Sequence, residues 1–265
     1  MTNLPTIQLP QHLAVMAQKM GAINQAASAA IVSGGVPRIS VKGSRFRFQT
    51  PDNQELVHQQ LFLDVIIVGA NQHLSKAYYA GKYDPNAEGV GPDCFSDNGV
   101  GPSIQSNKPQ CGTCVACPFN VVGSKINEQT GSATKACGDS KKIAVLVADN
   151  TSGQVFELRI PYMSTKNLKE HINRLNAHGI PASSIVTRLS FAPDASYPQL
   201  MFAPAANQDG SLCFINAQQA QDVMEVLDSD EVKQVTGEND RPINPANFVR
   251  GAVAQQNVQA AGRTS

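Results

Sequence analysis

The chain has 265 residues, 42% hydrophobic and 16% charged, with 21 Lys and Arg against 21 Asp and Glu. It reads as an ordinary globular protein with length for one large or two small domains, and a net charge of zero excludes a uniformly basic nucleic-acid coat. The balance is uneven: residues 1–200 carry 17 Lys and Arg against 13 Asp and Glu, while 201–265 carry 4 against 8.

The amino end, MTNLPTIQLPQHLAVMAQKMG, lacks the basic and apolar regions of a secretory signal, and no window reaches the ~18 apolar residues of a membrane span. This places the chain in a cytoplasm, where clustered cysteines point to metal rather than disulfides. Residues 1–35 read as an amino-terminal arm with a short helical pattern from His12 to Met20 and a Gly-rich linker. In PRISVKGSRFRFQT, Ile39 and Val41, then Phe46 and Phe48, alternate as in a strand, and QQLFLDVIIVGA reads as a second, partly buried one.

From 71 to 142 the chain is rich in Gly, Pro, Asn, Asp, Ser and Cys and has no periodicity, so it reads as a long insertion stapled by something other than apolar packing. KKIAVLVAD and QVFELRIPY follow as a strand pair. STKNLKEHINRLNAHG is the clearest helix, capped by Ser164 or Thr165, with Leu168, Ile172 and Leu175 on one stripe. SSIVTRLSFAP and PQLMFAPA give two more strands. This order predicts a mainly β, α+β fold over 36–206: a five-stranded OB-type Greek-key barrel with one helix, which binds oligonucleotides or oligosaccharides on one face. A sandwich with one helix gives a similar string. Residues 207–265 read as an acidic helix through Val223, Val226 and Leu227 and a flexible tail.

Five of the six cysteines, Cys94, Cys111, Cys114, Cys117 and Cys137, fall within the insertion; Cys213 reads as a core residue. Thiolates select zinc or iron–sulfur, and a closed tetrahedral zinc needs four. Cys94, Cys114, Cys117 and Cys137 form a symmetric set, with 19 residues on either side of the central CxxC. The alternative, Cys111 with Cys114, Cys117 and Cys137, gives a CxxCxxC run closer to iron–sulfur ligation, without the spacing of bacterial ferredoxins. A redox CxxC would open a helix in a βαβ unit, which is not the pattern here. Four protein ligands leave no open coordination position, so a zinc here would be structural.

No hydrolase, metalloprotease or phosphate-loop motif occurs, and no enzymatic activity is expected. The five histidines, His12, His58, His73, His171 and His178, read as surface residues. Asp93 and Asp97 read as turn formers, and Asp64 lies in a strand. Aromatic and basic residues interleave twice. Arg45 and Arg47 alternate with Phe46 and Phe48, and Lys76, Tyr78, Tyr79, Lys82 and Tyr83 crowd into eight residues. Cations that follow phosphates and flat rings on which bases stack are the two ingredients of single-strand binding. Phe46 and Phe48 read as core, with Arg45 and Arg47 as ligand contacts. The tyrosine cluster either meets nucleic acid or packs onto the cysteine loop.

The set PDCFSDNG, CVACPFNVVGS and KACGDSKKIAV, preceded by DVIIVGANQHLSKAYYAGKY and followed by ELRIPYMSTKNL, resembles tailed-phage proteins regarded as single-stranded DNA-binding proteins. The likeness spans roughly 36–205. It implies an OB-fold with a metal-stapled insertion, similar in plan to the zinc-containing helix-destabilising protein of T4-like phages. By motif it implies zinc on Cys94, Cys114, Cys117 and Cys137, with Cys111 an addition. It further implies single-stranded DNA as partner, in phage replication or recombination in a host cytoplasm. The acidic stretch from Asp222 to Glu231 would recruit partner proteins or compete with DNA. The competing expectations are an iron–sulfur protein in electron transfer or nucleic-acid processing, and a zinc module that binds protein.

Overall fold

Two long runs rich in β-branched residues form the spine of the computed structural model, which describes residues 35–49, 54–81, 91–128, 130–149, 153–195, 197–246 and 248. In chain order the strands are β1 (Arg38–Ser40), β2 (Arg47–Gln49), β3 (Glu55–Val57), β4 (Leu63–Ala70), β5 (Ser75–Tyr78), β6 (Cys94–Ser96), β7 (Lys125–Ile126), β8 (Ala133–Thr134), β9 (Cys137–Val147), β10 (Val155–Pro161), β11 (Thr187–Phe191) and β12 (Leu200–Pro204). Ten form one sheet in the order β12-β11-β4-β9-β10-β1-β2-β3, with β5 also on β9 and β6 beyond β5; β7 and β8 pair separately. The sheet curls into a half-barrel. Its pairings are antiparallel except β1 with β10. The architecture is thus mainly β with a few helices.

Strand β9 organises the whole. On one side its last residues, Ile143 to Val147, pair with β4, while its first, Cys137 to Ser140, pair with β5. On its other side Ser140 to Leu146 pair with β10. Both faces of the spine are buried. Leu63, Val65, Ile143, Val145, Leu158 and Leu189 face one core with Leu168 of helix α1 (Thr165–Ala177). Ile66, Val68, Ala144 and Leu146 face a second with Val223 of α2 (Ala217–Val226) and Val232 and Val235 of α3 (Asp230–Thr236). A strand covered on both faces reads as an unbroken apolar run, which is why DVIIVGA is continuous rather than alternating.

Several expectations change in detail. The run from Ile39 to Phe48 is two strands reversed through a 3-10 turn at Lys42–Ser44, so Ile39 and Phe48 face each other across a hairpin. Ser164 precedes α1 but makes no side-chain cap; its Oγ accepts from Leu200 N–H at 2.9 Å. His171 is not a surface residue. It is fully buried on the Leu168–Leu175 stripe, its Nε2 is 3.1 Å from Thr187 Oγ1, its Nδ1 has no partner, and burial lowers its pKa to about 4. Cys213 packs against the second core but is only half-buried.

Residues 207–246 carry two helices, not one, and both cover the sheet. Asn216 and Gln219 close a capping box on α2, and Ser229 caps α3. The β4 bulge at Gly69 lets α3 approach: a Cβ there would lie 2.8 Å from Val232 Cγ1. Residues 1–34 of the arm and residues 249–265 of the tail lie outside the described residues.

Candidate metal centre

Register places the first two thiols. Tyr78 on β5 stands directly between Cys94 on β6 and Cys137 on β9, and Lys76 between Ser96 and Asp139. Residues opposed across a ladder share a face. Two sulfurs, a ring, an ammonium and a carboxylate therefore stand on one side of this small three-stranded platform.

The loop Cys111 to Ser124 lies over that side and delivers two more thiols. Cys114 N–H donates to Val100 O at 2.9 Å, Cys117 N–H to Cys114 O at 3.4 Å, and Asn120 N–H to Cys117 O at 3.0 Å. Pro118, at the first position of a 3-10 turn over Pro118–Asn120, lacks an N–H where none is needed. Phe119 then stacks on Tyr78 with centroids 4.4 Å apart.

The result is a cavity of about 10 Å³ lined by Cys94, Cys114, Cys117, Cys137, Lys76 and Tyr78, among others. All four cysteines are 7 to 9% exposed; Cys111 is half-buried and outside the lining. The thiols face one space without closing on it. Among the described residues no group of three or more His, Cys, Asp or Glu side chains is drawn together closely enough to hold a metal ion.

Electrostatics follow from burial. Desolvation pushes the Cys137 thiol up to about 12, with Cys117 and Cys114 adding to it, and raises Cys94 and Cys114 as well. Lys76 opposes this at Cys114 and Cys137, and the backbone of Gln110 and Ser106 Oγ oppose it at Cys94. Burial also acts on Asp139, but Lys76 and Lys135 outweigh it and hold the carboxyl below its usual value.

The centre is tied to the body of the fold. Lys142, buried in β9, places Nζ 2.7 Å from Asp97 Oδ1 of the insertion and 3.0 Å from Glu157 Oε2 of β10. Burial pulls Glu157 upward, yet Lys142, Arg159 and Arg38 together keep it below the usual range. A strap after α3 closes the outer side. Asp240 Oδ2 accepts from Asp97 N–H at 3.0 Å, Ile104 N–H donates to Arg241 O at 2.9 Å, and Ile243 N–H to Pro102 O at 2.8 Å. Gly237, at φ +79°, begins the strap against the Asp97 backbone, where a Cβ would lie 2.9 Å from Asp97 C.

The residues read as DNA contacts fall into two groups. Arg45 is exposed and donates to Gln59 O at 3.4 Å; Arg47 is paired with Glu55 and donates to Lys42 O at 3.2 Å. Phe46 is buried and Phe48 packs edge-on against Phe156 at 5.4 Å. Lys76 and Tyr78 are engaged with the cysteine loop, whereas Tyr79 is half exposed. Lys82 and Tyr83 lie outside the described residues. In sheet order β1, β10 and β9 separate β2 from β5, so the two groups do not share a strand pair. Sequence reading assigned no role to Phe119, Asn120 or Asp139; the two-residue spacing of Lys76 and Tyr78 on a strand was the available signal.

Asp64 and Arg188 form a two-pronged pair, 2.7 and 2.6 Å, and Arg188 lies 4.1 Å over the Phe62 ring. No helix among the described residues is long and apolar enough to cross a membrane. Comparison of the chain with family models, curated proteins and solved structures gives no match.

Proposed function

We propose that the chain is a non-enzymatic, sequence-independent single-stranded DNA-binding protein whose Cys94, Cys114, Cys117 and Cys137 hold a structural zinc. The observation that carries the metal reading is the meeting of those four thiols, two from the platform and two from the loop, around one small cavity with Cys111 outside it. A tetrathiolate site is the chemistry of zinc, and binding would draw the four thiols in to sulfur distances of about 2.3 Å, driven by the folding free energy that structural zinc supplies. A volume of about 10 Å³ suits one ion better than an iron–sulfur cluster.

The DNA reading rests on the resemblance, on the curled sheet read as an elaborated OB-type barrel, and on cations beside apolar groups. Exposed Arg38, Lys42 and Arg45 stand on the same flank as exposed Leu56 and Val57, and Tyr79 stands open beside the insertion. Phage replication or recombination in the host cytoplasm is the setting this implies, with α2 and α3 as the surface for partner proteins.

Two measurements test it. Elemental analysis should find about one zinc per chain, as a tetrahedral structural site requires. Fluorescence anisotropy should show sequence-independent binding to single strands that weakens with salt, and Arg45→Ala should lower the salt slope by about one. Binding to duplex alone, or to neither, sinks the DNA reading, and iron with absorbance near 400 nm would replace zinc by a cluster. A second reading, a zinc module that binds protein, is favoured by Val115, Val121, Val122 and Ile126, all more than half exposed on the loop side. It predicts a stable protein complex and no anisotropy change.

A further inference from the structure

The two pairs of thiols come from separate pieces of chain, and one side chain spans them. Asn120 donates from Nδ2 to Cys114 O at 2.8 Å, while its Oδ1 accepts from Lys76 Nζ at 3.3 Å and Lys135 Nζ at 3.2 Å. Two ammonium groups can only meet an acceptor, so the orientation of the amide is determined. Both lysines also clasp Asp139 of β9, at 2.5 Å to Oδ1 and 3.0 Å to Oδ2. The turn's own bond, Cys117 N–H to Cys114 O, is long at 3.4 Å, which leaves the Asn120 amide as the short contact to the Cys114 carbonyl.

We propose that Asn120 is the positioning residue of the metal centre: it latches the Cys114–Cys117 turn onto the Cys94–Tyr78–Cys137 platform through Lys76, Lys135 and Asp139. The inference rests on the structural-zinc reading. Lys76 has a second part in it, because it lines the thiol cavity and carries the positive charge nearest the negative tetrathiolate that zinc would form. Partners of this kind orient ligands, and their loss typically weakens metal binding about 10- to 100-fold. A residue that merely stabilised the loop would lower the melting temperature without changing the affinity of folded protein for zinc.

Competition with a chromophoric chelator measures that affinity, and the visible spectrum of the cobalt(II) form reports the arrangement of the sulfurs. Asn120→Ala should bind zinc at least tenfold more weakly, with a changed cobalt spectrum. Asn120→Asp keeps an acceptor for both lysines but faces the Cys114 carbonyl with a carboxylate, and it should show the same loss; it serves should the alanine variant not fold. Thr130→Ala is the control. Thr130 is exposed, its Oγ1 accepts from Ser132 N–H at 3.3 Å in the turn between β7 and β8, and it does not line the thiol cavity, so this variant should keep full zinc affinity. Wild-type affinity and spectrum in both Asn120 variants overturn the inference alone, as does an equal loss in Thr130→Ala. Failure of the unaltered protein to bind zinc overturns the site reading and the inference with it.

Discussion

The body and the insertion are held by different means although they share strand β9. From Ile143 to Leu146 that strand lies between two apolar cores, each side chain exposed by 3% or less. From Cys137 to Ser140 the same strand carries thiol, glycine, carboxylate and hydroxyl against β5, and what surrounds it is turns, short hydrogen bonds and lysine-carboxylate pairs. Apolar burial is non-directional and tolerates distance from any single atom; a polar clasp depends on each partner. The body should therefore be stable by itself, whereas the insertion depends on its thiol centre.

Breaking each region separately gives the largest contrast. Leu158→Ala empties a fully buried site in the first core and should cost about 2–5 kcal/mol in global unfolding by urea, with all regions lost together. Cys114→Ser, or chelation, should instead abolish hydrogen-exchange protection around Phe95, Ile104 and Cys117 while β4, β10 and the second half of β9 stay protected. Simultaneous loss of protection everywhere in the chelated protein would mean that the two regions are one cooperative unit.

Lys142 is where the regions meet electrostatically, and it sharpens the same question. Its side chain is 4% exposed, and its ammonium joins Asp97 of the insertion to Glu157 of the body. Lys142→Met fills the volume but leaves Glu157 buried without its nearest cation, at a cost of about 3 kcal/mol in urea unfolding. The double variant Lys142→Met/Glu157→Gln should recover part of that loss. No recovery would show that packing rather than charge is what Lys142 supplies.

His171 probes the body alone through pH. Its folded pKa of about 4 lies below the unfolded value of 6.5, so the unfolded chain binds the extra proton between those values. The stability that comes from keeping it neutral is full above pH 6.5 and is lost as pH falls toward 4, on the order of 2 kcal/mol by pH 4.5. His171→Gln, which keeps a polar group facing Thr187, should flatten that part of the profile. An unchanged slope would assign the acid sensitivity to other groups.

His171 also shows how much of the fold was readable. It lies three residues after Leu168 and four before Leu175, so the periodicity that identified α1 already placed it on the buried stripe; its polarity drew the surface reading instead. The spine strands and α1 were legible because their apolar residues repeat at 2 or 3.6, or run unbroken where both faces are covered. Strands β5 and β6 were not, since three or four residues containing Cys, Lys and Ser carry no period and gain their order from pairing with β9. Helix α3 was missed for a related reason: its core contribution rests on Val232 and Val235 alone, beneath an acidic exterior. The four cysteines that line one cavity were singled out by spacing, but Asn120 was not, because a side chain that bridges two pieces of chain has no signature along one.

The smallest expected effect concerns the fifth cysteine of the insertion. Cys111 begins the CxxCxxC run, yet it is half-buried and lies outside the thiol cavity, next to Gly112, whose Cβ position would be 3.2 Å from Pro245 of the strap. Replacing its sulfur by oxygen removes no lining atom and leaves the Cys114 to Asn120 turn intact. Cys111→Ser should therefore keep the zinc content of the unaltered protein, change stability by no more than about 0.5 kcal/mol and bind single strands as before. Cys94→Ser, which removes a platform thiol 19 residues before the central pair, should lose the metal. If the two results were reversed, the loop run rather than β6 would supply the third thiol, and Cys137 of β9 alone would fasten the loop to the sheet.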